Sequence, residues 1–206
     1  MHNMHATAQT EQAIDDIARD GYAIIERFLP AENIAALADE ALALQTAGAM
    51  RKAVTGKNSY TGSTTLRGDF IHWLEETDSP ARQPYLQAMD DLRTSLNREL
   101  YLGLFEFETH FAVYPAGTGY AKHLDQLSNT QDRQVSSILY LNQDWQAGDG
   151  GELRLYLNEN TYQDIAPQGG KLVLFLSERF WHEVLPANRP RISLTGWFRK
   201  RSGRPA

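Results

Sequence analysis

The 206-residue chain contains no cysteine. That absence excludes a disulfide framework, a thiolate zinc site and a cysteine nucleophile together. No apolar run approaches the ~18–20 residues that a membrane-spanning helix needs. The first ten residues, MHNMHATAQT, lack both the basic and the apolar segment of a secretory signal. Excess positive charge is missing as well. Twenty Lys and Arg face 26 Asp and Glu, a formal net charge of −6, so no overall field draws nucleic acid or an anionic membrane. These absences lead us to expect a cytoplasmic protein with no nucleic-acid or membrane partner. What is present is 42% hydrophobic and 22% charged residues, enough for one domain over 1–206 with a substantial core. A single charged domain is expected to be monomeric.

Residues 1–9 are polar, without apolar periodicity, and are expected to fray. Thr10 then reads as the N-cap of a short helix carrying Ile14, Ile17 and Ala18 on one face, with Gly21 beyond its end. A buried strand over 22–26 follows, then a helix over 30–47 with Ile34, Leu37, Ala38, Ala41 and Leu42 at helical spacing. A third helix is predicted from Ser79 as its cap and Pro80 in its first turn, with Leu86, Met89, Leu92, Leu96 and Leu100 as its apolar stripe. Between the second and third helices, the polar stretch 55–65 reads as a long hairpin finger flanked by strands at 51–54 and 69–73.

After residue 104 the apolar period changes to two. Strands are predicted at 105–114, 120–125, 135–142, 152–157, 161–165, 171–176, 181–184 and 191–199, separated by Gly- and Pro-rich turns. Eight short strands preceded by helices give an α+β fold: a double-stranded β-helix, or jelly roll, braced on one outer face by the N-terminal helices. The basic tail 199–206 reads as a solvated end.

Arg191, Ser193, Thr195 and Trp197 share one side of the last strand, opposite Ile192, Leu194 and Phe198. If the apolar side packs on helices, the polar side lines the barrel interior, and such a lining costs desolvation unless its groups bind something. The same parity places Ser136, Ile138 and Tyr140 together. Parity alone does not separate a pocket from a solvent-facing sheet. His123 and Asp125, at i and i+2, also share a face, and His182 begins another strand. Two imidazoles and one carboxylate on neighbouring strands form the facial triad of non-haem Fe(II) oxygenases. With six His in 206 residues, chance alone supplies roughly 0.4 His-x-Asp pairs, so the pair is weak by itself. Arg191, on the pocket-facing parity nine residues after His182, strengthens it, because a guanidinium in a barrel calls for a carboxylate. That carboxylate is either the far end of a keto-acid co-substrate or a structural acid of the protein. Tyr140 is by default a core tyrosine, Thr195 and Trp197 divide evenly between packing and pocket, and His110, with Glu106 and Glu108 on its parity, reads as part of a solvated face.

The series Tyr114-Pro-Ala-Gly-Thr-Gly-Tyr-Ala-Lys-His123-Leu-Asp125, Ile138-Leu-Tyr-Leu-Asn142-Gln-Asp-Trp145, Gly150-Gly-Glu-Leu-Arg154, His182-Glu-Val-Leu-Pro186 and Arg191-Ile-Ser-Leu-Thr-Gly-Trp197 resembles the 2-oxoglutarate-dependent prolyl hydroxylases. Within them it is most similar to the hypoxia-sensor (EGLN-like) branch and its bacterial relatives, and Leu66-Arg-Gly-Asp-Phe-Ile-His-Trp73 extends the resemblance upstream. The resemblance implies His123, Asp125 and His182 as Fe(II) ligands, and Arg191 and Tyr140 on the distal carboxylate of 2-oxoglutarate. It places Thr195, Tyr114 and Trp197 around the co-substrate and metal, and makes the 55–65 finger a flap over a peptide. Asp69, Trp73 and Arg133 would meet the substrate, with Asp69 and Arg133 expected to pair at the pocket mouth. The implied co-substrates are 2-oxoglutarate and O₂, with ascorbate as a reductant. The implied reaction hydroxylates a prolyl residue, at C4, in a protein loop, with release of succinate and CO₂. For bacterial relatives it points to a translation GTPase such as elongation factor Tu. The rival reading is an oxygenase of the same type acting on a free amino acid or another small molecule.

Overall fold

The structure, a computed structural model, describes residues 2–53, 67–74, 79–126 and 132–201. The predicted finger at 55–65 and the end of the basic tail lie outside the described residues. Among the described residues there are three α-helices and eleven strands, and no helix is long and apolar enough to cross a membrane.

Helix α1 (His2–Asp20) runs through the segment expected to fray, so Thr10 lies inside the helix rather than capping it. Residues 2–9 hold no Gly or Pro, and nothing in them breaks a helix. Strand β1 (Tyr22–Ile25) and helix α2 (Ala31–Thr46) follow, the latter entered through an extended Pro30. Helix α3 (Gln83–Leu100) begins later than predicted, with Pro84 in its first turn. Ser79 caps nothing there: its hydroxyl donates to Glu40 Oε2 at 2.9 Å, beside the Arg82–Glu40 ion pair at 2.8 Å that ties α3 to α2. Met89, Leu92 and Leu96 on α3 are buried, each contributing roughly 1.5–3 kcal/mol.

The remaining strands are β2 (Arg51–Lys52), β3 (Phe70–Trp73), β4 (Glu106–Tyr114), β5 (Tyr120–His123), β6 (Arg133–Tyr140), β7 (Leu153–Tyr156), β8 (Tyr162–Ile165), β9 (Leu172–Leu176), β10 (His182–Val184) and β11 (Arg191–Arg199). They form a seven-stranded sheet in the order β1-β9-β6-β11-β4-β3-β2 and a four-stranded sheet in the order β5-β10-β7-β8. Every strand pair is antiparallel. The predicted jelly roll is β4 to β11, four strands in each sheet, and β1, β2 and β3 widen the larger one.

The parity of β11 settles which side faces where. Ile192, Leu194 and Phe198 join Leu139, Leu172 and Leu174 in the core shared with the three helices. Tyr114, Ile138, Tyr140, Val173 and Phe175 pack together on the other side, inside the barrel. Arg191 and Ser193 are buried on that inner side, and Ser193 lies in register with Tyr140. The inverted strand therefore lines an interior and not a solvent-facing sheet. Close approach of the two strands that carry the histidines depends on Gly119, where a Cβ would collide with the Val184 carbonyl of β10.

Candidate functional site

Register between β5 and β10 sets His182 directly opposite His123, and Asp125 follows in the bend after β5. Their ligand atoms all lie within 4.8 Å of one another. His123 Nε2 is 3.6 Å from Asp125 Oδ1, and His182 Nε2 is 3.7 Å from Asp125 Oδ2. Each imidazole uses Nδ1 on the carbonyl two residues back: His123 on Ala121 O at 2.8 Å, His182 on Phe180 O at 3.1 Å. With Nδ1–H donated to a carbonyl, both Nε2 lone pairs point to the shared space, the tautomer a metal requires. Ser136 on β6 donates its hydroxyl to Asp125 Oδ2 at 2.7 Å and is itself 2.9 Å from Ser177 Oγ. Burial pushes the Asp125 carboxyl up, but the two imidazoles and the Ser136 hydroxyl outweigh it and hold it well below the usual carboxylate range. Burial drives His182 down to about 4. An ionised carboxylate beside a neutral imidazole is the protonation state that binds a divalent cation.

His123 is braced from behind. Tyr120 stacks on its ring with centroids 3.7 Å apart, and the Arg67 guanidinium lies 4.9 Å over Tyr120. Arg67 is fixed in turn by Asp69, which accepts from its Nε at 2.7 Å and from its Nη2 at 2.9 Å. The expected Asp69–Arg133 pair therefore does not form. Asp69 is fully buried against the arginine two residues before it, while Arg133 bonds Glu108 at 3.0 Å and lies 3.5 Å over the Trp197 ring.

Arg191 enters from the first position of β11 and is 1% exposed. Its Nε donates to Gly151 O at 2.9 Å, and its Cζ stands 4.9 Å from the Tyr140 ring and 5.3 Å from the Tyr114 ring. Among the described residues, Arg191 Nη2 and Tyr140 Oη find no hydrogen-bond partner, and no carboxylate pairs with Arg191. Burial raises both Tyr140 and Tyr114 above the ordinary phenol value, with the Arg191 guanidinium opposing, so both stay protonated donors. A buried guanidinium with no acid of its own protein is costly unless a ligand carboxylate meets it. A dicarboxylic keto acid fits that end of the pocket. Thr195 faces the interior opposite Ile138, with Oγ1 3.5 Å from Ser193 Oγ, and Trp197 is buried one inward position further along. Trp73 packs against Trp197 with ring centroids 6.3 Å apart.

His110 departs from expectation most clearly. Instead of joining a solvated face it is buried between Trp73 and Trp197. Its parity with Tyr114 and Ala112 was the available signal. Glu106 and Glu108 on the same parity lie nearer the open end of β4, where Arg199 and Arg133 neutralise them. His72, by contrast, is an ordinary edge histidine whose Nδ1 meets Ala49 O at 3.0 Å.

Burial, aided by the Arg67 and Arg133 charges, lowers His110 to about 3. Below the unfolded value near 6.5, the unfolded chain takes up a proton that the folded one refuses. Stability associated with His110 is thus fully present above about pH 6.5 and lost as pH falls towards 3. His110→Met should make the fall in unfolding free energy between about pH 4 and 6.5 shallower, by up to about 1.4 kcal/mol per pH unit. Urea unfolding across that range checks it; equal slopes in the two proteins would contradict it.

Against known proteins, the 2OG-Fe(II) oxygenase superfamily profile matches residues 109–199. A crystal structure of a Pseudomonas putida prolyl-4-hydroxylase superposes with a TM-score of 0.87 at 44% identity, covering 94% of this chain and 100% of that one. A prolyl hydroxylase in complex with a hypoxia inducible factor oxygen degradation domain peptide fragment from Trichoplax adhaerens also gives 0.87, at 28% identity, covering 97% of this chain and 92% of that one. Egl nine homolog 1 of Homo sapiens is 32% identical over 198 residues, 91% of this chain and 46% of its own length. The chain thus spans about half the length of the Egl nine relatives it matches. With near-complete coverage in both directions of a 44% identical prolyl-4-hydroxylase, and the superfamily profile on the segment that carries the His-Asp-His cluster, the chain belongs to the prolyl hydroxylase family of 2-oxoglutarate- and Fe(II)-dependent oxygenases.

Proposed function

We propose that the protein hydroxylates a prolyl residue, at C4, in a loop of a protein substrate, using Fe(II), 2-oxoglutarate and O₂. One observation carries this reading: the His123–Asp125–His182 cluster shares its barrel with Arg191 Nη2 and Tyr140 Oη, buried polar atoms that have no hydrogen-bond partner among the described residues. Iron bound with 2-oxoglutarate and O₂ supplies the oxidising chemistry, in which the keto acid becomes succinate and CO₂ and one oxygen atom enters the substrate C–H bond.

The residues of the chain then have distinct tasks. His123 Nε2, Asp125 and His182 Nε2 would hold the metal, and Ser136 donates to the Asp125 carboxylate and fixes its orientation. Arg191, pinned by Gly151 O, and Tyr140 receive the distal carboxylate. Tyr114, Thr195 and Trp197 bound the space between. The buried walls of β4, β6, β9 and β11 exclude water from the reacting region. In this reading Trp73 and Arg133, which both pack on the Trp197 ring, meet the substrate, and Asp69 acts through Arg67 and Tyr120 on His123.

A protein substrate is supported by the likeness to the Trichoplax enzyme, whose structure holds a peptide. The purified protein should transfer one oxygen atom to prolyl peptides, and loops of elongation factor Tu are the first to assay. Ascorbate serves as the reductant in the mixture. Mass spectrometry of the peptide, with succinate measured in parallel, should give matched amounts of both products. Succinate release driven by free amino acids and by no peptide would favour the small-molecule reading instead.

A further inference from the structure

β4 presents Tyr114, Ala112 and His110 to the barrel interior at alternate positions, and the functional reading gives the last of these no task. Its ring centroid is 4.7 Å from Trp73 and 5.6 Å from Trp197, nearly parallel to the latter at 28°. It is 1% exposed, yet neither ring nitrogen has a hydrogen-bond partner among the described residues, and neither does Trp197 Nε1. A neutral imidazole offers one N–H donor and one acceptor, and the indole adds a second donor. An apolar side chain would fill the gap between two indoles without leaving polar atoms unpaired, so the imidazole is better explained by a ligand than by packing. The charged groups acting on it are the Arg67, Arg133 and Arg51 guanidiniums and the Asp125 carboxylate, with three cations to one anion. Two donors in a positively biased, buried setting suit an oxygen that carries negative charge.

Resting on the oxygenase reading, we propose that His110 and Trp197 form a subsite for an acyl oxygen of the reactants. The two sources of such an oxygen are the keto-acid end of 2-oxoglutarate and a main-chain carbonyl of the prolyl segment. Thr195, in register opposite His110 on β11, completes the wall of this subsite. His110 is a binding residue whose neutral form donates to the acyl oxygen.

The test follows the imidazole directly. Protein labelled with ¹⁵N-histidine and loaded with Zn(II) in place of iron is titrated first with 2-oxoglutarate and then with a prolyl peptide. The His110 resonance is identified by its loss in His110→Phe, which keeps an aromatic ring in the stack and removes both nitrogens. Its N–H should move, and become protected from solvent exchange, on addition of one of the two ligands. That ligand should bind His110→Phe about tenfold more weakly, the other with unchanged affinity. Response to 2-oxoglutarate assigns the keto-acid end; response to peptide assigns the main-chain carbonyl. If His110→Phe fails to fold, the wild-type titration, with the resonance assigned through Trp197→Phe, decides alone. A His110 resonance indifferent to both ligands, in a protein that binds them, would overturn the subsite. A wild type that binds no 2-oxoglutarate would overturn the oxygenase reading and the subsite with it.

Discussion

Arg191→Ala should raise the 2-oxoglutarate concentration required for half-maximal turnover by about 10²–10³-fold, with iron affinity nearly unchanged. The magnitude follows from burial. Arg191 is 1% exposed, and among the described residues its Nη2 has no hydrogen-bond partner and no carboxylate to fall back on. Removing one partner of a buried charge pair costs roughly 3–5 kcal/mol, and each 1.4 kcal/mol is tenfold in affinity. Tyr140 alone, a neutral donor, recovers only a fraction. Arg191→Lys should fall between, because an ammonium can pair with the carboxylate but lacks the planar fork and the Nε–H that Gly151 O receives. Succinate formation as a function of 2-oxoglutarate, beside equilibrium iron binding, makes the check. Unchanged 2-oxoglutarate dependence would remove Arg191 from the co-substrate site.

His182→Ala should abolish turnover and weaken Fe(II) binding by more than about 100-fold, beyond the usual loss for an outer-shell partner. His182 is 3% exposed, with its ring 4.8 Å from Phe175 and 4.2 Å from His123, so solvent cannot readily supply the missing ligand in the same place. His123→Ala should act in the same direction. Its ring is more accessible, and water can replace it at lower cost. Equilibrium dialysis against Fe(II) under argon separates the two. Near-full activity in either variant would contradict the ligand assignment.

Much of this arrangement is legible before any coordinates. The strand boundaries from residue 105 onward follow from alternation and turn residues, and the inward polar face of β11 follows from Ile192, Leu194 and Phe198 needing helices to pack on. Depth along a strand is not written in parity. His110 shares its face with Glu106 and Glu108, yet lies nearer the barrel middle, whereas those carboxylates reach Arg199 and Arg133 at the rim. Choice among charged partners is equally hidden. Asp69 takes Arg67, only two residues before it, and Arg133 finds Glu108 across the sheet. Helix starts are hidden where a plausible cap competes with chain continuity. α1 runs past Thr10 because nothing upstream stops it, and α3 waits for Pro84 because Ser79 is committed to Glu40.

The central claim is that one barrel holds a metal at His123, Asp125 and His182 and a keto acid between that metal and Arg191. Anaerobic visible absorption tests it most directly, with Fe(II) and then 2-oxoglutarate added to metal-free wild type and to Arg191→Ala. The wild type should show a charge-transfer band, and the variant a band that is weak at limiting 2-oxoglutarate and recovers when the keto acid is in large excess. No band in either protein would mean that the cluster and the arginine share a fold with the oxygenases without sharing this chemistry.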